Sequence, residues 1–253
     1  MEALVSIVMP SYNSEAFIAQ SIDSVLSQTY TNWELIIVDD CSVDQTVNVI
    51  QSFSDIRIKL HRLDKNSGAG IARNTAVSLA RGRYIAFLDS DDLWRPEKLQ
   101  KQLDFMRVNH LKFTFSFYDC IDENGNALGK RVTAPDKLTY NLLFFSNFVG
   151  NLTGIYDVNF FGKIEIAAIR KRQDWILWLT ILRQIKVAIP VTESLAFYRI
   201  RQDSISASKW KLLSHNYAVY RNFHGFNPFV SLLCMVGFLF TQFAIKRAFI
   251  KKI

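Results

Sequence analysis

The acidic run Asp89-Ser90-Asp91-Asp92 directly follows the strand-like stretch Arg83 to Leu88. Along an extended backbone, residues two apart project the same way, so Asp89 and Asp91 can turn both carboxylates towards one site. Hard oxygen ligands of this kind suit Mg²⁺ or Mn²⁺, which commonly take one or two carboxylates and complete their shell with phosphate oxygens. A diphosphate would otherwise be repelled by the run, and a bridging cation removes that conflict. An isolated Asp-x-Asp is more often an exposed turn before a helix, so its company must decide. That company is Asp39-Asp40-Cys41-Ser42 after an earlier apolar run, and Asn66-x-Gly68-x-Gly70-x-x-Arg73-Asn74 ahead of the acidic strand. A carboxylate of the Asp39-Asp40 pair can accept from the N–H of a uracil, although an N-cap role suits one of the two equally well. Tyr12 can lie over a base, and Arg73 can neutralise phosphate or tie the carboxylates together. The glycines alone are weak signals: Gly68-x-Gly70 comes late after its strand and lacks the third glycine of a dinucleotide fingerprint.

Groups so far apart in sequence need a scaffold that gathers strand ends. Leu4 to Met9 is short, apolar and rich in β-branched residues, as a strand buried on both faces of a parallel sheet requires. Ser14 can cap the helix that follows, in which Phe17, Ile18, Ile22, Val25 and Leu26 recur at helical spacing. The alternation continues with a strand from Glu34 to Asp39, a helix from Asp44 through Phe53 and a strand from Ile56 to Leu60. A helix opened by Ser67 and Gly68 then runs through Ala80 to the strand that ends at the acidic run. This βαβαβ rhythm predicts a doubly wound parallel sheet, in which ligands sit beyond the carboxyl ends of the strands. Tyr12 and Asn13, Asp39 and Asp40, and Asp89 and Asp91 all fall at such ends. After Pro96 the rhythm changes, with a helix to about His110, an alternating strand from Lys112 to Cys120 and an Asn124-Gly125 turn. A helix from about Gln173 to Arg183 and a strand from Leu195 to Ile200 belong to this α+β part, and no linker divides it from the first.

With 253 residues, 49% of them hydrophobic, the chain is long enough for one large α/β domain or two small ones around a substantial core. Its net charge of +7 comes from 30 Lys and Arg against 23 Asp and Glu. Beyond Ser204 stand Lys209, Lys211, Arg221, Lys246, Arg247, Lys251 and Lys252 and no acidic residue, which accounts for the whole excess. Within the same stretch, Phe229 to Ile245 is almost wholly apolar. It falls short of the roughly 20 residues that a spanning helix needs. A helix lying on, or shallowly in, an anionic membrane surface is therefore expected, with a core helix as the plainer alternative. Nucleic-acid binding is disfavoured, because the basic charge coincides with an apolar tail instead of lining a polar groove. Cys41, Cys120 and Cys234 show neither a disulfide framework nor zinc-ligand spacing and suit a reducing cytosol. Met1 leads into the first strand without a cleavable apolar segment.

Taken in order, Val5-Ser-Ile-Val-Met-Pro-Ser-Tyr-Asn13, Ser24-Val-Leu-Ser-Gln28, Ile37-Val-Asp-Asp-Cys-Ser42, Ala72-Arg-Asn74 and Phe87-Leu-Asp-Ser-Asp-Asp92 resemble family 2 glycosyltransferases of the GT-A fold. The resemblance covers residues 1 to about 100. It implies an α/β, doubly wound, mostly parallel sheet with an acceptor-side α+β half and a C-terminal apolar helix. The expected divisions are 1–110 for the nucleotide sugar, 111–208 for acceptor and catalysis, and 209–253 for membrane association. It also implies inverting transfer from a nucleotide sugar, usually UDP-linked, with Mn²⁺ or Mg²⁺ as cofactor. Asp91 would be the principal metal ligand with Asp89 nearby, and Pro10, Tyr12, Asp40, Arg73, Asp89 and Ser90 would surround the donor.

Inversion requires one in-line displacement, so a base must take the proton of the acceptor hydroxyl. Arg172-Gln173-Asp174-Trp175 resembles the family's Glu-Asp-Trp or Gln-Asp-Trp motif, whose aspartate is that base; Asp174 also stands at a helix start, where it can act as a cap. Trp175 and Trp178 can stack on a sugar, but their helical spacing favours core packing. Tyr198-Arg-Ile-Arg-Gln-Asp-Ser-Ile-Ser206 looks like the closing segment of bacterial members that build capsules and O-antigens. Arg199 or Arg201 could clamp the diphosphate there or stand as solvated charges. The implied setting is the cytoplasmic face of a bacterial inner membrane, where a peripheral enzyme adds a single sugar to a polyprenyl-diphosphate-linked saccharide. A processive synthase would carry several long spans and a Gln-x-x-Arg-Trp motif, neither of which the sequence has. A sugar-phosphate nucleotidyltransferase would need a glycine-rich loop where Pro10 to Glu15 has no glycine. A binding protein without catalysis would have no use for Asp174.

Overall fold

The computed structural model describes residues 2–167, 169, 171–201 and 209–253. The expected alternation takes shape as β1 (Val5–Ser11), α1 (Ile18–Leu26), β2 (Trp33–Asp39), α2 (Thr46–Gln51), β3 (Ile58–Arg62), α3 (Ala69–Leu79) and β4 (Tyr84–Phe87). There follow β5 (Leu93–Trp94), α4 (Lys98–Val108), β6 (Phe113–Thr114), β7 (Ser116–Ile121), β8 (Ala127–Val132), β9 (Leu138–Thr139) and α5 (Tyr140–Phe145). The remaining elements are β10 (Ile155–Asp157), α6 (Val158–Phe161), α7 (Gln173–Ile185), β11 (Val187–Ala188), β12 (Val191–Arg199), α8 (Lys209–Ala218), α9 (Pro228–Phe240) and β13 (Ile250–Lys252).

The main sheet has six strands in the order β3-β2-β1-β4-β10-β6. β3, β2, β1 and β4 run parallel, while β10 lies antiparallel to both β4 and β6. After β3 the chain crosses to the far side of β1, so the order reverses between β1 and β4 and their carboxyl ends frame a crevice. β1 and β2 are buried at every residue, which is why they read as continuous apolar runs. Alternate strand residues face opposite cores: Val8, Ile36, Val38 and Phe87 meet α3 and α7, while Ile7, Met9, Leu35 and Ile37 meet α1 and Leu99 of α4.

The stretch Lys112 to Cys120, expected as one strand, is broken at buried Phe115. β6 completes the six-stranded sheet, whereas β7 enters a five-stranded sheet of order β13-β8-β7-β12-β5. Both pieces are half-apolar and extended, so the alternation in sequence continues through the point where the chain changes sheets.

The tail helix starts where Asn227 accepts from the backbone N–H of Val230 at 2.9 Å and Pro228 occupies the first turn. Beyond α9, a π turn over Thr241–Ile245 and a 3₁₀ turn over Lys246–Phe249 extend the helical run to 22 residues, Pro228–Phe249. By length and composition it can cross a membrane, which the apolar run alone did not indicate. Ser231, Met235, Phe238 and Thr241 point inwards, with the Phe238 ring 5.9 Å from that of Trp175. Gly237 rests so closely on Phe145 that a Cβ there would collide with the ring. Phe229, Leu232, Leu233, Val236, Phe240 and Phe243 are exposed on the outer side. One face of this helix thus packs on the core, and the other is exposed and apolar. β13 then pairs antiparallel with β8 and binds the tail into the second sheet.

Candidate active site

At the crevice, buried Pro10 pairs with Val38 near the end of β1, and exposed Tyr12 follows. Asn13 adopts a left-handed φ of 45°; its N–H donates to Ser42 Oγ at 2.9 Å and its Oδ1 accepts from Val43 N at 3.0 Å. These bonds lace the loop after β1 to the loop after β2. Asp39 turns back on its own loop, accepting from Ser42 N at 2.9 Å and pairing with Arg62 at 3.6 Å. Asp40 instead accepts from the backbone N–H groups of Ser67 and Gly68, both at 2.7 Å, and so caps α3 from another element. Gly68 has a φ of 91°, a conformation that glycine enters without steric cost.

The acidic run fans out from the end of β4. Asp89 Oδ1 accepts from Arg73 Nη2 at 2.6 Å and from Asn151 Nδ2 at 3.2 Å. The Ser90 hydroxyl lies 2.8 Å from that of Ser14, joining the run to the loop after β1. Asp91 Oδ2 accepts from Arg201 Nη1 at 3.2 Å. Asp92 points into the protein and accepts from the backbone N–H of Arg199 at 2.9 Å. Burial, then the charges of Asp91 and Asp89, hold the Asp92 carboxyl well above the usual carboxylate range. Burial and the charge of Asp89 raise Asp91 too, against the opposing pull of Arg201. Crowded carboxylates of this sort are relieved by a cation. Asp89 and Asp91 offer the hard oxygen donors that Mn²⁺ or Mg²⁺ prefers. Among the described residues no group of three His, Cys, Asp or Glu side chains is arranged to hold a metal ion.

Arg73 joins this run to the second half of the domain. Its Nη1 donates to Gln173 Oε1 at 2.8 Å while its Nη2 holds Asp89. Burial opposes the charge, but Asp89, and after it Asp174 and Asp91, raise the pKa above the ordinary guanidinium value. Arg73 Nε is buried without a hydrogen-bond partner among the described residues. The next residue, Asn74, exchanges bonds with the backbone of Ile166 at 2.9 and 2.6 Å, locking α3 to the segment ahead of α7. Gly70 leaves room for the Gln173 amide, which a Cβ would strike.

Asp174 lies in the first turn of α7, a favourable place for an anion, and its Oδ2 accepts from Asn147 Nδ2 at 2.7 Å. The preceding Arg172 has a left-handed φ of 69°, a strained geometry for a residue with a Cβ. Trp175 Nε1 donates to Leu143 O at 2.7 Å, and Trp178 packs 5.2 Å from Phe113 and 5.8 Å from Phe87, so both are core residues as their spacing suggested. Arg199 is buried and occupied by Asp91 O, Glu123 O and Gln20 Oε1, all at 2.8 Å. Of the two arginines considered for a clamp, Arg201 is the one at the carboxylates. Residues 202–206 of that closing segment lie outside the described residues. Asn147, Asn151 and Lys246, whose Nζ donates to the Asn147 carbonyl, belong to the site's framework but to no motif.

The structure therefore brings Asp89, Ser90, Asp91, Arg73 and Asp174 to one crevice, with Pro10, Tyr12 and Asp40 on its β1 and β2 side. The family model for Glycosyl transferase family 2 matches residues 6–163. The chain is a family 2 glycosyltransferase. It is 41% identical over 237 residues to the UDP-Glc:alpha-D-GlcNAc-diphosphoundecaprenol beta-1,3-glucosyltransferase WfgD of Escherichia coli, covering 93% of this chain and 92% of that relative. Among solved structures, S. aureus TarS 1-349 in complex with UDP-GlcNAc superposes with a TM-score of 0.70 at 20% identity, over 98% of this chain and 74% of TarS. The mannosyltransferase PcManGT from Pyrobaculum calidifontis, in complex with GDP-Man and Mn²⁺, gives 0.68 at 16% identity, over 96% of this chain and 71% of its own. The fold of this glycosyltransferase is accordingly the GT-A type, mixed α/β around a mostly parallel sheet.

Proposed function

We propose that this glycosyltransferase moves a single hexose or N-acetylhexosamine from a UDP-sugar to a hydroxyl of a lipid-diphosphate-linked saccharide, with inversion, in bacterial surface polysaccharide synthesis. The observation that carries this reading is Arg73, which spans Asp89 of the acidic run and Gln173 beside Asp174. Asp91 and Asp89 would hold Mn²⁺ or Mg²⁺, and a bound cation would supply neutralisation of the diphosphate charge. Pro10, Tyr12, Asp40, Arg73 and Ser90 surround the donor. Asp174 accepts the proton of the acceptor hydroxyl, whose oxygen bonds to the anomeric carbon while the bond from that carbon to the diphosphate breaks. UDP leaves with the electron pair, and attack from the opposite face inverts the centre. The donor and acceptor classes follow the activity for which the E. coli relative is named.

The division of labour has residues 1–110 holding the donor, 111–208 the acceptor and base, and 209–253 the membrane. The outer face of α9 offers Leu232, Leu233 and Val236 to lipid, and exposed Arg247, Lys251 and Lys252 suit anionic headgroups. These features support a peripheral position on the cytoplasmic face of the inner membrane. The test is a panel of UDP-, GDP- and dTDP-sugars against synthetic lipid-diphosphate sugars, with Mn²⁺ or with chelator. Transfer is expected with a UDP-sugar and Mn²⁺ only, and Asp174→Asn should lower turnover by about 10²- to 10⁴-fold while UDP still binds. Donor binding without transfer in every pairing would replace catalysis with a binding role.

A further inference from the structure

The tail helix changes its winding where it passes the loop after α5. Its π turn, Thr241–Ile245, is followed at once by the 3₁₀ turn that Lys246 begins. Such turns alter which side chains face inwards and are frequent at functional sites. Here Gln242 Oε1 accepts from Ser146 Oγ at 3.0 Å. Lys246, one turn further, donates to the main-chain carbonyl of Asn147 and lies 5.6 Å over the Phe148 ring. Three consecutive loop residues are thus gripped by the tail. The middle one, Asn147, donates its side-chain amide to Asp174. Two hydrogen bonds therefore lead from the tail ammonium to the carboxylate of α7.

Packing alone does not call for a lysine at this place. Lys246 is largely enclosed and makes no ion pair among the described residues, so its charge carries a desolvation cost that a methionine of similar length would avoid. The charged groups that act on it are Arg172, ahead of α7, and Asp174, in its first turn. We infer that Lys246 is a positioning residue for the transfer, holding Asn147 so that the Asp174 carboxylate faces the acceptor hydroxyl. The inference rests on the reading of Asp174 as the base. It makes the C-terminal segment a part of the active site as well as a contact surface. Burial, and then Arg172, pull the lysine down to about 8, with Asp174 opposing. The ammonium is present below that pH and is lost above it, whereas an arginine at 246 stays charged throughout.

The experiment uses the full-length protein, a UDP-sugar and a soluble acceptor, with initial rates followed across the pH range that brackets about 8. Lys246→Met should lower kcat about tenfold, the rate equivalent of one hydrogen bond from a charged donor, with KM for the UDP-sugar and affinity for UDP unchanged. Turnover of the unaltered enzyme should fall as pH rises past about 8. Lys246→Arg should keep most of that turnover and lose the alkaline fall. Adding Asn147→Ala to Lys246→Met should cost little more than the larger single effect, since both act on one path. Unchanged kcat and pH profile in Lys246→Met, with Asp174→Asn inactive, would overturn the inference and leave the base in place. Full turnover in Asp174→Asn would overturn the base itself. If Lys246→Met loses UDP binding, Lys246→Arg decides, because an alkaline fall unmoved in that variant would refute the path.

Discussion

On the proposed donor side, Asp40 and Asp89 stand just beyond the ends of β2 and β4, held by backbone amides at the start of α3 and by Arg73 of the same helix. On the proposed acceptor side, Asp174 accepts a hydrogen bond from the side chain of a loop residue, Asn147, and that loop is held in turn by the tail. Strand ends set where the first carboxylates stand, and the side chains of Arg73 and Asn151 then orient Asp89. Side-chain contacts among three remote segments set the second, so small changes far from the chemistry can alter it. The contrast suits the two ligands, because a nucleotide diphosphate is constant, whereas acceptors differ in size and in the hydroxyl they present.

Arg73→Met is the most severe way to break the contrast, since Arg73 links the two sides. A fall of about 10²- to 10³-fold in kcat/KM is expected, the usual effect of removing a charged donor from a developing anion, with secondary structure retained by circular dichroism. Gly70→Ala sharpens the comparison, because its methyl strikes the Gln173 amide, which bears on the acidic run through Arg73. Loss of about tenfold in kcat is expected, as for a displaced positioning group, with UDP affinity unchanged by calorimetry. The smallest effect on turnover should come from Leu233→Glu with Val236→Glu on the outer face of α9. Rates on a soluble acceptor should stay within error, while co-sedimentation with anionic vesicles should be lost. Retained sedimentation would remove the lipid role of that face.

The same contrast explains what could be read from residues alone. A parallel strand delivers consecutive residues to one crevice, so Tyr12, Asp40, Asp89 and Asp91 announce themselves as short polar runs after apolar ones. Asp174 was legible only through its three-residue motif. Asn147, Asn151 and Lys246 meet their partners across 27, 62 and 99 residues, and a single polar side chain carries no periodic signal of such a contact. The fold shows the same limit. The rhythm of strands and helices up to β4 was plain, but the crossing from β6 to β7 was hidden within one alternating stretch. The π turn likewise prolonged a helix whose apolar run had seemed too short.

Gly237 has a further bearing on how such a molecule would ride on a bilayer. Its missing side chain lets α9 lie flush against the ring of Phe145. A surface that received Leu232 and Val236 would thus meet a helix seated closely on the catalytic domain. A bulkier residue at 237 would act as a wedge, pushing the helix off Phe145 and disturbing the grip of Gln242 and Lys246 on the loop that follows it.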